Sequence, residues 1–359
     1  MASIKKRDNG QWRARYRDEA GREHARHFAR KTDAQRWLDE VTTSVVTGNY
    51  IDPRNAGTLL STYAAEWEKI QVGRSSTLTV IDNAIRLHIN PLLGDKRIAS
   101  IRQSDIQGFV KSLEGKELAA GTVRNIYETL GRIFASAVDD RVIASSPCRR
   151  IRLPKGVQGE VEPLTLAQVR ALEVAMGKLG AAVITLAGSG LRIGELLGLD
   201  VSDVDFFRGT IRVERQRSQS GEVTPPKSKS SARTVPVGRT VIDALAAFLN
   251  AGKRHTGPLF LDALGGPLTY RQWKPLWKRA TVAANVNATA HSLRHFYASA
   301  LIGGGASVKQ VQTVLGHASP VVTLKVYAHL WPGDDDRTRS IIDAILGASA
   351  DQVRTEGAT

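Results

Sequence analysis

Cysteine is almost absent from this chain, since Cys148 is the only one among 359 residues. A single thiol excludes an intrachain disulfide and an all-cysteine metal site. Long apolar runs are missing as well, because no stretch of the sequence reaches the ~18 residues that a membrane span needs. The first ten residues are charged and lack the apolar segment of a signal peptide. These absences predict a cytoplasmic protein without a membrane segment.

Acidic residues are too few to balance the basic ones. Lys and Arg number 50 against 35 Asp and Glu, which leaves a formal net charge of +15 at pH 7. Such a surplus favours a polyanionic partner, and it makes binding sensitive to salt because counterions are released. The alternative is a basic surface that serves solubility alone. The length fits two or three domains of ~100–200 residues each.

The first fifty residues are predicted to form a separate module of strands and one helix. Residues 11–17 alternate between an apolar face and an arginine face, and the arginine face consists of Arg13, Arg15 and Arg17. A second strand is expected from Arg22 to about Phe28, followed by a helix. The arginines predict a basic ribbon that binds a DNA groove. The alternative is a solvated edge strand whose charges discourage aggregation.

The middle of the chain has helical periodicity from Thr58 to about Asp140, which predicts a bundle of about four helices. A linker at 48–57 precedes it, and a second linker follows at 145–155. The second linker carries a basic cluster that we expect to lie near DNA phosphates: Arg149, Arg150 and Arg152. Beyond Pro163, strands predicted near 210–213 and 233–237 alternate with helices and indicate a mixed α/β region.

Two segments of this third region carry groups suited to binding a phosphate. Glycines surround Arg192 and tighten a turn from which its side chain leaves the start of a helix. Glu195 follows one helical turn later and is placed to orient that guanidinium. A polar loop then presents two lysines, Lys227 and Lys229, on a hairpin tip.

Two further segments carry imidazoles, a second guanidinium and a phenol. His291 and Arg294 stand three residues apart, which puts both on one helix face. His317 follows a Leu-Gly turn, and Tyr327 comes ten residues later. Each segment alone is weak, because such spacings occur by chance in many helices. The four segments in this order are far more specific.

Together the segments resemble the tyrosine recombinase, or phage integrase, family, whose signature is Arg, Lys, His-x-x-Arg, His or Trp, and Tyr. They read GLRIGELLGLD, PKSKSSARTVPV, HSLRHFYAS and LGHASPVVTLKVYAHL. The resemblance is strong over residues 163–330 and looser over the helical region, which looks like the family's core-binding domain. The first fifty residues are similar to the arm-binding module of integrases, which argues against a short, two-domain chromosome-dimer resolvase.

The resemblance implies a multidomain, mainly helical chain with α+β parts. We expect an arm-type DNA-binding domain at 1–50, built from a small three-stranded sheet and a helix. A SAM-like helical core-binding domain is expected at 57–145 and a mixed α/β catalytic domain at 160–334. The tail at 335–359 contains an apolar stripe that docks on a neighbouring protomer or packs on its own domain: Ile341, Ile342, Ala344, Ile345 and Leu346.

The chemistry implied by the resemblance is covalent. The Tyr327 hydroxyl attacks a scissile phosphodiester and leaves a 3′-phosphotyrosyl enzyme and a free 5′-hydroxyl. Arg192 and Arg294 then stabilise charge on the non-bridging oxygens through forked hydrogen bonds, which lysine does not match. A tyrosine of ordinary pKa, ~10, is almost fully protonated at pH 7, so a base must assist.

The remaining roles follow from the same resemblance. His291 is the natural candidate for proton transfer, and His317 is expected to bind a non-bridging oxygen. The general acid for the leaving oxygen is assigned to Lys227, although Lys229 also fits the hairpin position. His295 and His329 are interpreted as structural. No cofactor or metal is required.

The implied function is site-specific recombination that integrates or excises a mobile element through a Holliday junction. Its partners are double-stranded DNA with core and arm-type sites, further copies of the chain in a homotetramer, a host DNA-bending protein and an excisionase. Localisation at the nucleoid follows. A type IB topoisomerase is one rival, against which the N-terminal module and the tail argue. A regulator on a decayed scaffold is another, against which the intact set of reactive residues argues.

Overall fold

A computed structural model describes most of the chain, namely residues 2–17, 21–46, 57–156, 162–226, 231–328, 339–340, 342–344 and 346. The chain divides into two compact units, Met1–Gln158 and Gly159–Thr359. Within the described ranges, no helix combines the length and the apolar character that crossing a membrane requires. Residues 48–56 of the predicted linker at 48–57, and most of the tail, lie outside the described residues.

The first unit begins with an antiparallel sheet in the order β1-β2-β3, whose strands are Ser3–Lys6, Trp12–Arg17 and Glu23–Phe28. Alternation along β2 buries Ala14 and Tyr16, as the apolar face predicts. That face packs on helix α1, Lys31–Val46, where the rings of Tyr16 and Trp37 meet edge to face at 5.5 Å. The predicted three-stranded sheet with one helix is confirmed.

The rest of the first unit is a helical domain. Its helices are α2 to α6, which span Leu60–Lys69, Ser75–Ala84, Asn90–Leu93, Gln103–Glu114 and Ala120–Asp139, with a π-helical turn at Ile85–Ile89 between α3 and α4. Helix α6 is the longest of them, and its buried residues recur every three or four positions, so one apolar stripe faces the core. The predicted SAM-like helical architecture is confirmed.

The second unit combines small antiparallel sheets with helices. Strands β4, β5 and β8, at Val204–Asp205, Thr210–Val213 and Arg233–Pro236, form one sheet, and β6 and β7, at Gln216–Arg217 and Val223–Thr224, form a hairpin. The helices α7 to α14 span Leu166–Ala175, Gly180–Ser189, Ile193–Leu196, Arg239–Ala251, Tyr270–Ala283, Ala290–Gly303, Val308–Leu315 and Pro320–Tyr327. The predicted strands near 210–213 and 233–237 correspond to β5 and β8, and the mixed architecture is confirmed.

Helix α8 is the centre of this unit. Its sequence GAAVITLAGS has no charged residue, and nearly all of its side chains are buried. Such a helix is stable only when other elements cover it on every side, and α7, α10 and α12 pack against it. The loop that follows α8 and the face of α12 are therefore held against the same rigid element, and both carry predicted site residues.

Candidate active site

A left-handed glycine places the first predicted site residue. Gly190 ends α8 with φ +63°, and its N–H donates to the carbonyl of Leu186 at 3.0 Å. A Cβ at this position would lie 2.4 Å from a ring atom of Tyr297, so only glycine fits without a shift. The chain then reverses, and Arg192 becomes the residue that precedes α9.

Glu195 is a buried carboxylate that binds two arginines, and it is 2% exposed. It accepts hydrogen bonds from the backbone N–H of Arg192 at 2.9 Å and from Nη1 of the same residue at 2.8 Å. Burial alone would raise the pKa of Glu195, but the hydrogen bonds and charges of Arg233 and Arg192 outweigh it and hold the pKa below its ordinary value. The separation of three residues between Arg192 and Glu195 in the sequence predicts this contact.

The second arginine on this carboxylate, Arg233, is absent from the predicted site. Its Nη2 lies 3.0 Å from Oε2 of Glu195, and its Nε donates to the carbonyl of Val314 at 2.7 Å. Arg233 thus ties the start of β8 to Glu195 and to the last turn of α13. In the sequence, Arg233 is a charged residue at the start of a predicted strand. The only sign of an inward side chain is that apolar residues, Val235 and Val237, follow it at alternate positions.

Arg294 is almost fully enclosed, with 1% of its surface exposed. Its Nη1 donates to the carbonyl of Gly190 and its Nη2 to that of Leu315, both at 2.6 Å. Burial, followed by the nearby charge of Arg192, lowers the pKa of Arg294 to about 9, so the guanidinium stays charged at neutral pH. Two main-chain carbonyls from separate elements therefore fix a buried cation beside Arg192.

Tyr327 is buried on the last turn of α14, with 2% of its surface exposed. Its hydroxyl lies 2.7 Å from Nδ1 of His295, and the two ring centroids are 5.5 Å apart. Burial raises the pKa of Tyr327 to about 12, against the opposing charge of Arg294. Burial and the charge of Arg294 lower the pKa of His295. A neutral imidazole thus faces a protonated phenol.

The imidazole at the tyrosine is therefore that of His295, for which the sequence predicts a structural role. His291, the predicted proton-transfer residue, lies one turn earlier on α12, and its ring meets that of His295 edge to face at 4.7 Å. Desolvation and then the charges of His295, Arg294 and Arg192 lower the pKa of His291. The spacing of four puts both imidazoles on one helix face, but α14 packs at the later position.

His317 follows Gly316, which ends α13 with φ +63°. Its Nδ1 lies 2.8 Å from the hydroxyl of Thr323, which fixes the ring plane. Burial, then the charges of Arg294 and Arg192, lowers the pKa of His317 to about 4. The neutral ring leaves Nε2 available for a ligand.

These groups form one electropositive cluster inside the second unit, consisting of Arg192, His291, Arg294, His295, His317 and Tyr327, with Glu195 and Arg233 behind it. The carbonyls of Val314 and Leu315 hold Arg233 and Arg294, so the end of α13 is the common support. The predicted lysines Lys227 and Lys229, and also His329, lie outside the described residues. Over the part of the chain that is described, no group of three or more His, Cys, Asp or Glu is arranged to hold a metal ion.

The predicted DNA-binding arginines of β2 share an exposed face with one acid. Glu23 on the neighbouring strand lies 3.2 Å from Arg13, 3.5 Å from Arg15 and 3.8 Å from Arg17. A single carboxylate cannot neutralise three guanidiniums, so this face keeps a net positive charge.

The second basic cluster lies after α6. Its side chains are exposed, namely Arg149, Arg150 and Arg152. The segment is anchored to α5, because Gln107 donates to the carbonyl of Arg152 at 3.0 Å and accepts from its backbone N–H at 2.9 Å.

Three domain profiles match this chain. The phage integrase family profile matches residues 165–332, the N-terminal domain profile of phage integrases matches 2–47, and their N-terminal SAM-like domain profile matches 59–114. The first range contains the whole cluster around Tyr327.

Curated bacterial recombinases are similar over most of their length. A tyrosine recombinase XerC-like protein of Caldanaerobacter subterraneus is 26% identical over 356 residues, covering 88% of this chain and 90% of that one. The tyrosine recombinase XerC of Pelobacter propionicus is 30% identical over 225 residues, covering 61% of this chain and 69% of the relative.

Solved integrase structures share the fold. The Tn1549 transposon integrase in complex with transposon right end DNA aligns with a TM-score of 0.68 and 25% identity, over 80% of this chain and all of that one. A lambda integrase tetramer bound to a Holliday junction aligns with a TM-score of 0.60 and 21% identity, over 88% of this chain and 96% of that one. The lambda likeness concerns the fold alone.

Proposed function

This chain belongs to the phage integrase family of tyrosine recombinases, and we propose that it integrates and excises a mobile element, with Tyr327 as the nucleophile. Members of this family cleave and rejoin DNA strands at specific sites. The observation that carries the assignment to Tyr327 is the position of its hydroxyl, 2.7 Å from a neutral imidazole and close enough for the charge of Arg294 to affect its pKa.

The proposed cleavage step exchanges one phosphate ester for another. The Oη of Tyr327 forms a bond to phosphorus, the bond from phosphorus to the 5′-oxygen breaks, and the protein is left on the 3′-phosphate. The phenol proton passes to a base, and the leaving 5′-oxygen takes a proton from an acid. Because the phosphotyrosyl ester keeps the energy of the broken bond, a second 5′-hydroxyl can reverse the step on another strand.

Arg192 and Arg294 supply the positive charge in this proposal. Fixed donors aimed at developing negative charge lower the barrier without reorganising during the reaction. Arg294 is held by two carbonyls, and Arg192 is held by Glu195. Their other N–H groups can donate to two non-bridging oxygens of one phosphate.

The other predicted residues complete the proposed site. His317, whose ring is fixed by Thr323, donates from Nε2 to a phosphate oxygen. His291 lies next to Arg294 on the same face and contributes to the same phosphate pocket. The general acid is assigned to the hairpin lysine, with Lys227 preferred over Lys229, and this assignment rests on the sequence pattern alone.

The proposed DNA contacts lie in the first unit. The face of Arg13, Arg15 and Arg17 binds arm-type sites, and the cluster at 149–152 binds phosphates of the core site. Exposed guanidiniums on a rigid strand suit phosphate contacts, which position a protein on DNA without reading its sequence. The Tn1549 integrase is in complex with transposon right end DNA in its solved structure, which supports a DNA ligand for this chain.

The proposed assembly is a homotetramer that joins two DNA sites through a Holliday junction, assisted by a host DNA-bending protein and an excisionase. Support comes from lambda integrase, a protein of similar fold whose solved structure is a tetramer bound to a Holliday junction. The tail docks on a neighbouring protomer or on its own domain. The described residues of its stripe are exposed, which favours a partner surface: Ile342, Ala344 and Leu346.

A nicked suicide substrate tests the proposal. Cleavage next to the nick releases a short fragment, so religation fails and the protein stays covalently attached to the DNA. The wild type is expected to give this adduct, and Tyr327→Phe is expected to bind the same DNA without forming it. An adduct that persists with Tyr327→Phe would refute the nucleophile. Recombination of paired sites, without relaxation of a single supercoiled circle that lacks them, would exclude the topoisomerase alternative.

A further inference from the structure

We propose that His295 is a catalytic residue of this reaction: its Nδ1 accepts the proton of the Tyr327 hydroxyl as the oxygen attacks phosphorus. The inference rests on the proposed function and adds a residue outside the Arg, Lys, His-x-x-Arg, His and Tyr signature. The signature suggests His291 as the base. The inference assigns this role instead to the imidazole that directly follows Arg294.

The contact geometry selects His295 among the imidazoles of the cluster. Its Nδ1 lies 2.7 Å from Oη, within the distance that direct proton transfer needs. The Nδ1 of His317 is already engaged by the Thr323 hydroxyl. His291 meets the ring of His295 edge to face, and no hydrogen bond in the described part of the chain joins His291 to Tyr327. Among the described contacts, the imidazole that shares a hydrogen bond with the Tyr327 hydroxyl is that of His295.

Burial, and then the charge of Arg294, favours a neutral His295 ring before DNA arrives. His291 and Arg294 lie on its own helix and Tyr327 on α14, and burial and Arg294 lower its pKa. Helix α8, which packs on α12, contributes no titratable side chain, and Lys309 of α13 is exposed and contacts Gln312. A neutral ring with a free Nδ1 lone pair is the state that can take a proton.

Binding of DNA brings a negative phosphate into this cluster. A nearby anion favours the protonated form of an imidazole, so it offsets the depressing effect of Arg294 on the pKa of His295. As the bond between Oη and phosphorus forms, the proton moves from Oη to Nδ1, and the 5′-oxygen leaves with a proton from the hairpin lysine. In religation the deprotonated hairpin lysine takes the proton of the attacking 5′-hydroxyl, and the imidazolium returns its proton to Oη as the bond between Oη and phosphorus breaks. Each half-reaction therefore balances in protons without an outside group.

The test compares single-turnover adduct formation by the wild type, His295→Asn and Lys227→Ala. Asparagine keeps a hydrogen-bonding atom near the position of Nδ1 but cannot accept a proton at neutral pH. Removing a general base is expected to slow cleavage by about 100-fold or more at pH 7. The suicide substrates carry either oxygen or sulfur at the 5′ bridging position, and the sulfur leaves without needing an acid. Sulfur should restore Lys227→Ala and leave His295→Asn slow.

A fluorinated tyrosine at position 327 supplies the reciprocal measurement. Its phenol is more acidic and therefore depends less on a base. The replacement is expected to raise the cleavage rate of His295→Asn at least tenfold. The same replacement should not help His291→Asn if His291 acts on the phosphate. Ser299→Ala, a substitution one turn further along α12, controls for damage to the helix and should cleave at the wild-type rate.

Several results would overturn the inference. Cleavage by His295→Asn within about twofold of the wild type would exclude a base, and faster cleavage would show that the contact restrains the tyrosine. Rescue of this variant by the sulfur substrate would assign His295 to the leaving group. If His295→Asn does not fold, His295→Gln is measured in the same way. Failure of the wild type to form any adduct would instead refute the proposed function itself.

Discussion

Glu195 and Arg233 form an ion pair inside the second unit, with 3.0 Å between Oε2 and Nη2 and side-chain exposures of 2% and 6%. The same carboxylate holds Arg192, and the same guanidinium reaches the carbonyl of Val314. One buried acid therefore links the start of α9, the start of β8 and the end of α13. These three elements carry or support most of the cluster around Tyr327.

Removing the charge of Glu195 should destabilise the folded protein. Glu195→Gln keeps the size of the side chain but leaves two guanidiniums without their counter-charge, and breaking a buried pair costs several kcal/mol. We expect a loss of about 2–4 kcal/mol in the free energy of unfolding, measured by urea denaturation. Asp243→Asn, which breaks the exposed pair with Arg239, should change it by less than about 0.5 kcal/mol. Equal effects of the two variants would contradict the linking role.

Lysine should not replace Arg294. A single ammonium cannot occupy the positions of Nη1 and Nη2 together, so either Gly190 or Leu315 keeps a buried carbonyl without a partner, which costs about 1–3 kcal/mol. Loss of a fixed donor to the phosphate should also slow adduct formation by about 100-fold. Arg239→Lys, at an exposed ion pair, is the matched control and should cleave as the wild type does. Normal cleavage by Arg294→Lys would remove this residue from the site.

Acid should destabilise the second unit through its histidines. The pKa of His317 is lowered to about 4 in the folded protein, whereas an unfolded histidine has its ordinary value near 6.5. Between these values the unfolded chain binds more protons, so the stabilisation is complete above about pH 6.5 and is lost as the pH falls toward 4. When the pH falls from 7.5 to 5, the free energy of unfolding of His317→Gln should decrease by about 1–2 kcal/mol less than that of the wild type.

The control for this pH dependence is His255→Gln, which changes an exposed histidine of the same unit. Its loss of stability on acidification should equal that of the wild type. If His317→Gln behaves as His255→Gln does, the burial of His317 does not govern the acid response.

The acid on the arginine face of β2 should weaken duplex binding. Glu23 attracts Arg13, Arg15 and Arg17, so Glu23→Gln frees their charge for phosphates. Exposed pairs are weak, and we expect roughly threefold tighter binding at low salt. Asp33→Asn on α1 makes the same change in net charge away from this face and should have a smaller effect. Weaker binding by Glu23→Gln would show that the acid orients the arginines.

A loss of one phosphate contact can be read from salt dependence. Arg15→Ala should flatten the slope of log K against log salt concentration by about one if Arg15 binds a phosphate. An unchanged slope would place Arg15 outside the DNA interface.

Local patterns predicted most of the secondary structure and much of the cluster. The alternation around Ala14 and Tyr16 predicted the buried face of β2, because a strand exposes alternate residues on opposite sides. The spacing of three put His291 and Arg294 on one helix, and the same spacing predicted the contact of Glu195 with Arg192. Each of these depends on residues a few positions apart.

Long-range contacts were beyond those patterns. Arg233 meets Glu195 across 38 positions and Val314 across 81, and neither spacing has a periodic signature. His291 and His295 lie on successive turns of the same face of α12. Contact with Tyr327, which is 32 positions from His295, distinguishes them. A helix pattern identifies a face but not the neighbour that packs on it.

The sequence by itself determined the elements, the family signature and the identity of the reactive groups, because hydrophobic period and residue chemistry are local properties of the chain. Only the tertiary structure decided which imidazole faces the phenol and which acid supports the guanidiniums. Those choices depend on how α13 and α14 meet α12, which is itself packed on α8. A single turn of helix moves a side chain by about 5 Å and exchanges one hydrogen-bond partner for another.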